Sequence, residues 1–281
     1  MANEKQKNYW TNLAGQKWLA KADEMEMRFA AINDVLMHLA ALLPGDRVLD
    51  IGCGTGITSL AAARLVGPKG RVRGMDVSEP MLQAARAMAK RSGLDNLDFI
   101  LADAQTDDPE IAADRLISRF GVMFFEDPVA AFTNLRCNAA SGAGLAFIAW
   151  APLAKNEHWL RPLELAKTLV GEGAARHPRA PGPLAFGDTD YVTSILEQSG
   201  WGHISIKQQM IDLMGTSLER EAQMACTLGP SAALLEEKHA DEKILQEAER
   251  IFLKALPEYI EIMSDGRVRV PATINIVTAT A

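Results

Sequence analysis

The segment Val48-Leu49-Asp50-Ile51-Gly52-Cys53-Gly54-Thr55-Gly56 sets three glycines at alternate positions directly after a short apolar run. Glycine is needed where a backbone turns sharply and must let a ligand approach with no Cβ in the way. A dinucleotide-binding turn would read G-x-G-x-x-G, but position 57 is Ile, and an acidic residue, Asp50, stands just before the glycines. The turn therefore suits a ligand that carries an ammonium group and no pyrophosphate, with Asp50 holding the amine directly or through water. Cys53, inside the turn, reads as small apolar filler, because no neighbour in sequence would activate its thiol. Twenty residues beyond Gly56, Asp76 ends a second apolar run, where a carboxylate can accept two hydrogen bonds from ribose hydroxyls. Asp103, in Leu101-Ala102-Asp103-Ala104, ends a third run and suits an adenine amino group, with Val77 and Met81 set to flank the ring.

Three acids at three strand ends require strands and helices in alternation, and the chain supplies them. Strands are expected at Arg47 to Ile51, Arg71 to Val77, Leu97 to Leu101, within Ile111 to Ser118, and at Gly144 to Trp150. The helices between them are Thr58 to Val66, closed by Gly67-Pro68; one from Ser78 as N-cap to about Arg91; and Pro128 to Cys137. Regular alternation implies a parallel sheet covered on both faces. Residues 9 to 43 form a helical preface in two pieces: Trp10, Leu13, Ala14 and Trp18 share one face, and Met25, Phe29, Ile32, Leu36, Leu39 and Leu43 make a longer stripe. Beyond Trp150 the rhythm breaks in a proline-rich insertion, residues 151 to 187. A helix at Thr189 to Ser199, a strand at His203 to Lys207 and a last strand at Val268 to Thr278 follow. About sixty mainly helical residues separate those two strands, with Ile244, Leu245, Ala248, Ile251, Phe252 and Ala255 on one stripe.

The 281 residues are 48% apolar with a net charge of −7, a globular composition whose acidity argues against a general nucleic-acid binder. Three scattered cysteines make neither a disulfide framework nor a zinc pair and fit a reducing, cytoplasmic setting. No run of 18 apolar residues exists, so no membrane span is expected.

With these motifs in place, the chain resembles the class I S-adenosylmethionine-dependent methyltransferases of the ubiquinone/menaquinone-biosynthesis (type 11) kind. The resemblance rests on Val48 to Gly56, on Gly74-Met75-Asp76-Val77-Ser78-Glu79-Pro80-Met81-Leu82, on Ala102-Asp103-Ala104, and on Ser118-Arg119-Phe120-Gly121-Val122-Met123-Phe124-Phe125 before Asp127-Pro128; it covers residues 9 to 150 well and the rest in outline. It implies an α/β, Rossmann-like, seven-stranded and mostly parallel sheet with an antiparallel last strand and helices on both faces. N-terminal helices and a helical cap before the last strand add to this core. It further implies direct displacement at a sulfonium carbon and an N-terminal segment that helps to close the cofactor site, which Tyr9-Trp10 and Gly15 to Trp18 resemble.

The cofactor set is then Trp10, Trp18, Asp50, Gly52, Cys53, Gly54, Gly56, Asp76, Val77, Met81, Asp103, Ala104, Ser118 and Phe120, although Trp10 and Trp18 are equally suited to a helical core. The expected organisation is a lid at 1–45, a cofactor-binding core at 46–150, a pocket-lining insertion at 151–187, core again at 188–215, a helical cap at 216–265 and a closing strand at 266–281. Two departures stand out: Asn138 to Gly144 replaces the usual Arg-Pro-Gly-Gly approach to the fifth strand, and the helical insertion after Lys207 is long.

A methyltransferase acting at oxygen or carbon of a small, largely apolar molecule is the expected function. No Asn/Asp-Pro-Pro-aromatic tetrapeptide follows the fourth strand, which disfavours base amines, and Ser118 supplies no carboxylate for a divalent metal, so no metal is expected. Phe120 or Met123 would face the transfer centre, Trp150 and Trp159 would line the acceptor, and His158 is the candidate general base. Phe120, Phe124, Phe125 and Trp150 also have a default place in the core. The rival readings are a non-methylating isomerase or cyclase using the same cofactor, and a noncatalytic cofactor-binding scaffold. The expected partner is the small acceptor; a homodimer is compatible with the sequence.

Overall fold

The computed structural model describes residues 3–175 and 177–281. Met1-Ala2 of the expected lid, Arg176 of the expected insertion, and the side chains of Leu13 and Ala14 lie outside the described residues. In chain order the elements are α1 (Glu4–Thr11), α2 (Leu13–Leu19), α3 (Ala22–Arg28), α4 (Ala30–Ala40), β1 (Arg47–Ile51), α5 (Ile57–Val66), β2 (Arg71–Asp76), α6 (Glu79–Ser92), β3 (Leu97–Leu101), β4 (Ala113–Arg119), α7 (Pro128–Cys137), β5 (Ala139–Trp150), α8 (Glu157–Val170), α9 (Thr189–Gln198), β6 (Gly202–Gly215), α10 (Leu218–Thr227), α11 (Gly229–Glu237), α12 (Glu242–Ala255), β7 (Glu261–Ile262) and β8 (Val268–Thr280).

The preface departs from the expected two pieces and forms four helices. Asn12 leaves helical geometry at φ −104°, ψ −108°, and its side-chain amide donates to the Asn8 carbonyl, a local bond that competes with continuation of the helix. Phe29, at φ −99°, ψ 11°, separates α3 from α4 without breaking the apolar stripe: Met25, Phe29, Ile32 and Leu36 are all buried, whereas Leu43 is exposed. β5 starts five residues before Gly144. The ladder between β4 and β5 shifts register between Ala113 and Arg115, and Gly142, at φ +73°, lies in the segment expected to be a turn. β6 extends eight residues past Lys207. Ser78 occupies the N-cap of α6 as expected, but its hydroxyl makes no cap bond and instead donates to the Trp10 carbonyl at 2.9 Å.

The strands run in the order β3-β2-β1-β4-β5-β8-β6, with the two-residue β7 added beside β8. β1 to β5 pair in parallel. The Ala281 N–H donates to the Ala143 carbonyl and the Ala151 N–H to the Thr273 carbonyl, so β8 runs opposite to β5. The seven long strands follow the expected plan, and the eighth is the short β7. α5 and α6 pack on β1 to β3, and α9 packs on α7.

The chain divides into two compact units: Met1–Trp150 with Pro181–Gln208 and Asn275–Ala281, and Ala151–Ala180 with Gln209–Ile274. Residues 181–187, grouped by sequence with the insertion, fall in the first. In the second, α8 packs on α11 and α12, with Ala248 and Phe252 of the expected stripe buried and Leu245 exposed. Among the described residues no helix is long and apolar enough to cross a membrane.

The first unit's core includes Phe132 on α7, with no exposed surface, edge-on to Phe125 at 5.7 Å and beside Phe147 at 5.6 Å. Phe132→Ala is expected to cost about 3–5 kcal/mol by loss of burial and creation of a cavity. Denaturant unfolding measures it, and a loss under about 1 kcal/mol would contradict this packing.

Candidate active site

The glycine turn is built by close approach of two loops. Gly52 has φ +64°, and a Cβ there would stand 2.8 Å from the Gly121 Cα, so the end of β1 and the loop after β4 touch backbone to backbone. Asp50, one turn of the pleat earlier, is wholly buried. Its Oδ2 accepts from the Thr58 and Ser59 hydroxyls, both at 2.5 Å, in the first turn of α5, while Oδ1 is buried with no hydrogen-bond partner. Burial raises its pKa to about 6, against the pull of those two hydroxyls and of the Arg119 guanidinium.

Asp76 ties the turn to β2: Oδ2 accepts the Gly54 N–H and Oδ1 the Ser78 N–H, each at 2.9 Å. Burial raises its pKa while these backbone donors oppose the shift. A carboxylate offers about four acceptor sites, so capacity remains for a hydroxyl donor. Asp103 is buried and faces the N-terminal segment. Its Oδ1 accepts from the Asn3 amide at 3.1 Å and the Gln105 N–H at 3.0 Å, and the Lys7 ammonium lies 3.5 Å from Oδ2. Met81 is buried, with its Cε 3.6 Å from a Cβ built on Gly54; Val77 is half-buried, and Ala104 is buried with its carbonyl accepting from Asn134. Cys53 packs with Leu82, Ala85 and Phe99, and burial pushes its thiol pKa well up, in keeping with filler.

An aromatic chain runs beside these acids. Phe120, at φ +66°, stacks on Trp150 at 4.4 Å, and Phe29 meets both edge-on at 5.4 and 5.9 Å. Trp18 stacks on Phe29 at 6.3 Å and meets Trp10 at 6.2 Å, which meets Phe124 at 4.9 Å. The two tryptophans of the preface thus join the layer that holds Phe120. Ser118 commits its buried hydroxyl to the Ile51 carbonyl at 2.7 Å, fastening β4 to β1. Met123 is 1% exposed and packed in the core. His158 and Trp159 lie on α8 of the second unit, their rings 5.1 Å apart and His158 buried.

Several participants carry no sequence signal of their own. Thr58 and Ser59 look like ordinary helix residues, and Asn3 and Lys7 meet Asp103 across about a hundred positions of chain. Arg119 sits inside the motif Ser118 to Phe125, but its partner Glu26 lies 93 positions away, and only the fold joins them.

The unpartnered Oδ1 of Asp50 is an acceptor suited to an ammonium donor, and Asp76 keeps acceptor capacity for a diol. These residues fit S-adenosylmethionine. Because the folded-state pKa of Asp50 lies above the unfolded value of 3.8, its burial costs nothing at pH below about 4, and the penalty grows until it reaches roughly 3 kcal/mol above about pH 6. Asp50→Asn is expected to raise the Tm of the ligand-free protein by about 5 °C at pH 8 and by about a third of that at pH 4.5. Thermal melts at both pH values test this, and an equal shift at the two would contradict it.

A methyltransferase-domain family profile matches residues 42–149. Nocamycin O-methyltransferase of Saccharothrix syringae is 30% identical over 206 residues, 68% of this chain and 71% of that protein. Aklanonic acid methyltransferase DauC of Streptomyces sp. strain C5 is 33% identical over 120 residues, 42% of this chain and 54% of that protein, so the match spans little more than half of that relative's length. The solved YcgJ protein of Bacillus subtilis superposes with a TM-score of 0.54 at 15% identity over 88% of this chain and 97% of that one, a likeness of fold. Sheet order, glycine turn, acids at strand ends and sequence relatives agree: the chain belongs to the class I S-adenosylmethionine-dependent methyltransferases.

Proposed function

We propose that the protein methylates a small, largely apolar organic acceptor at oxygen or carbon, without a metal ion. The observation that carries this reading is the reach of the similarity to nocamycin O-methyltransferase. Its 206 aligned residues exceed the 108 of the methyltransferase-domain match, so the likeness continues beyond the cofactor core. The name of aklanonic acid methyltransferase points to the same acceptor class.

When bound, the cofactor supplies a methyl group on a positively charged sulfur, itself a good leaving group. The chain's task is to hold and orient. Asp76 takes the ribose hydroxyls on acceptor sites that the Gly54 and Ser78 N–H groups leave open. Asp50 takes the ammonium on Oδ1. The aromatic layer of Phe120, Trp150 and Phe29 excludes water at the ends of β4 and β5. Positioning of this kind supplies most of the acceleration in a displacement between bound partners. Where the acceptor must lose a proton, we assign the role of base to His158, an imidazole being a side chain that can take up and return a proton.

Asp76→Ala is expected to weaken S-adenosylhomocysteine binding about ten- to a hundredfold by calorimetry, the worth of hydrogen bonds to a charged acceptor. Unchanged affinity would remove Asp76 from the ribose site. In a turnover screen with a methyl-labelled donor, phenols, quinols and other small lipophilic acceptors are expected to take the label in the presence of EDTA, while peptides and RNA do not. Label reaching only a macromolecule, product formed with no label consumed, or activity that EDTA removes and magnesium restores would each overturn the reading. His158→Ala is expected to lower kcat by about a hundredfold or more for a phenolic acceptor and to flatten the pH profile; a profile matching wild type would remove the base.

A further inference from the structure

Arg119 ends β4 with a guanidinium that is half explained. Nη2 donates to both oxygens of Glu26 on α3, at 2.7 and 2.8 Å, and the Phe29 ring centre lies 5.9 Å from the guanidinium carbon. The side chain is 9% exposed, and Nη1 is buried with no acceptor. A buried donor left unmade is costly, more so when charged, so its persistence calls for a function. Anchoring the N-terminal helices through Glu26 accounts for Nη2 and leaves Nη1 unaccounted for.

The position of Arg119 supplies the account. Asp50 on β1 pairs with Ile117 on β4, and Arg119, two residues on, projects from the same face at the carboxyl end of that strand. The guanidinium is near enough to Asp50 to pull its pKa down. Two buried groups of opposite sign on adjacent parallel strands thus each keep one unpartnered atom, Oδ1 of Asp50 to accept and Nη1 of Arg119 to donate. An α-amino acid zwitterion carries the complementary pair, an ammonium and a carboxylate on one carbon.

We infer that Arg119 anchors the α-carboxylate at the methionyl end of the cofactor while Asp50 takes its α-ammonium, and that Glu26 is the positioning residue that holds the guanidinium. This rests on the cofactor reading above and adds the group that distinguishes an amino-acid-bearing ligand from a bare thionucleoside. Glu26 acts only through Arg119, holding Nη2 with both of its carboxylate oxygens and leaving Nη1 unused.

The test is calorimetry on the full chain with S-adenosylhomocysteine and with its decarboxylated analogue, which lacks only the carboxylate. Wild type is expected to prefer S-adenosylhomocysteine by about 10- to 100-fold, the worth of a charge-assisted bond. Arg119→Met should bring the two ligands within about threefold of each other by weakening S-adenosylhomocysteine alone, and Glu26→Gln should give an intermediate preference. Arg119→Lys keeps the charge without the fork and should retain part of the preference, so the comparison stands if the Met variant fails to fold. Equal weakening of both ligands in the variants, or the wild-type preference retained in them, would overturn the assignment. Wild type that binds neither ligand would instead overturn the cofactor reading on which it depends.

Discussion

A carboxylate without solvent stands at the end of β1, and its neighbours answer the cost of burying it. The free energy of desolvating an ionised carboxylate in an apolar interior far exceeds what one hydrogen bond returns, so Asp50 persists only with compensation around it. α5 provides part of that compensation through Thr58 and Ser59, which fixes how the helix leaves the glycine turn. Arg119 provides another part from the neighbouring strand, and it is held in turn by Glu26 from the preface. The turn, the first crossover helix, the end of β4 and the N-terminal helices are thereby bound to one charge.

The three strand-end acids are treated differently, and the differences follow from what faces each. Asp50 is enclosed and keeps an idle oxygen; Asp76 holds the glycine turn with one oxygen and the start of α6 with the other; Asp103 is met by the amide of Asn3 and the ammonium of Lys7. The preface reaches the same region at two further points, through the Trp10 carbonyl at Ser78 and through the Trp10 and Trp18 rings in the aromatic layer. The N-terminal helices therefore meet the residues around the glycine turn at several places.

What the sequence makes legible is what neighbours in sequence decide. β1, β3 and α7 match their expected spans because glycine, proline or an Asp N-cap punctuates them within a few residues. The start of β5 was not legible, since Asn138 to Gly144 looks like a turn but continues a ladder whose register shift depends on β4. β6 ran past its expected end because the pairing that extends it comes from β8, more than fifty positions later. The acids and glycines of the site were visible by type and spacing. The second halves of their interactions were not: Thr58, Ser59, Asn3, Lys7, Glu26 and Arg119 become meaningful only when packing brings them together.

The order of the sheet also bears on how the chain reaches its native state. β6 is made before β8, yet β8 is the strand that lies between β5 and β6. Until β8 exists, β5 ends the growing sheet with an open edge and β6, fourteen residues long, has no neighbour to pair with. Such edges are templates for association with other chains. A nascent chain passes through this stage while the helices α10 to α12 are being synthesised, and closure waits for a strand that must insert between two others rather than add at a margin. The cost of that late, long-range step falls on the folding rate.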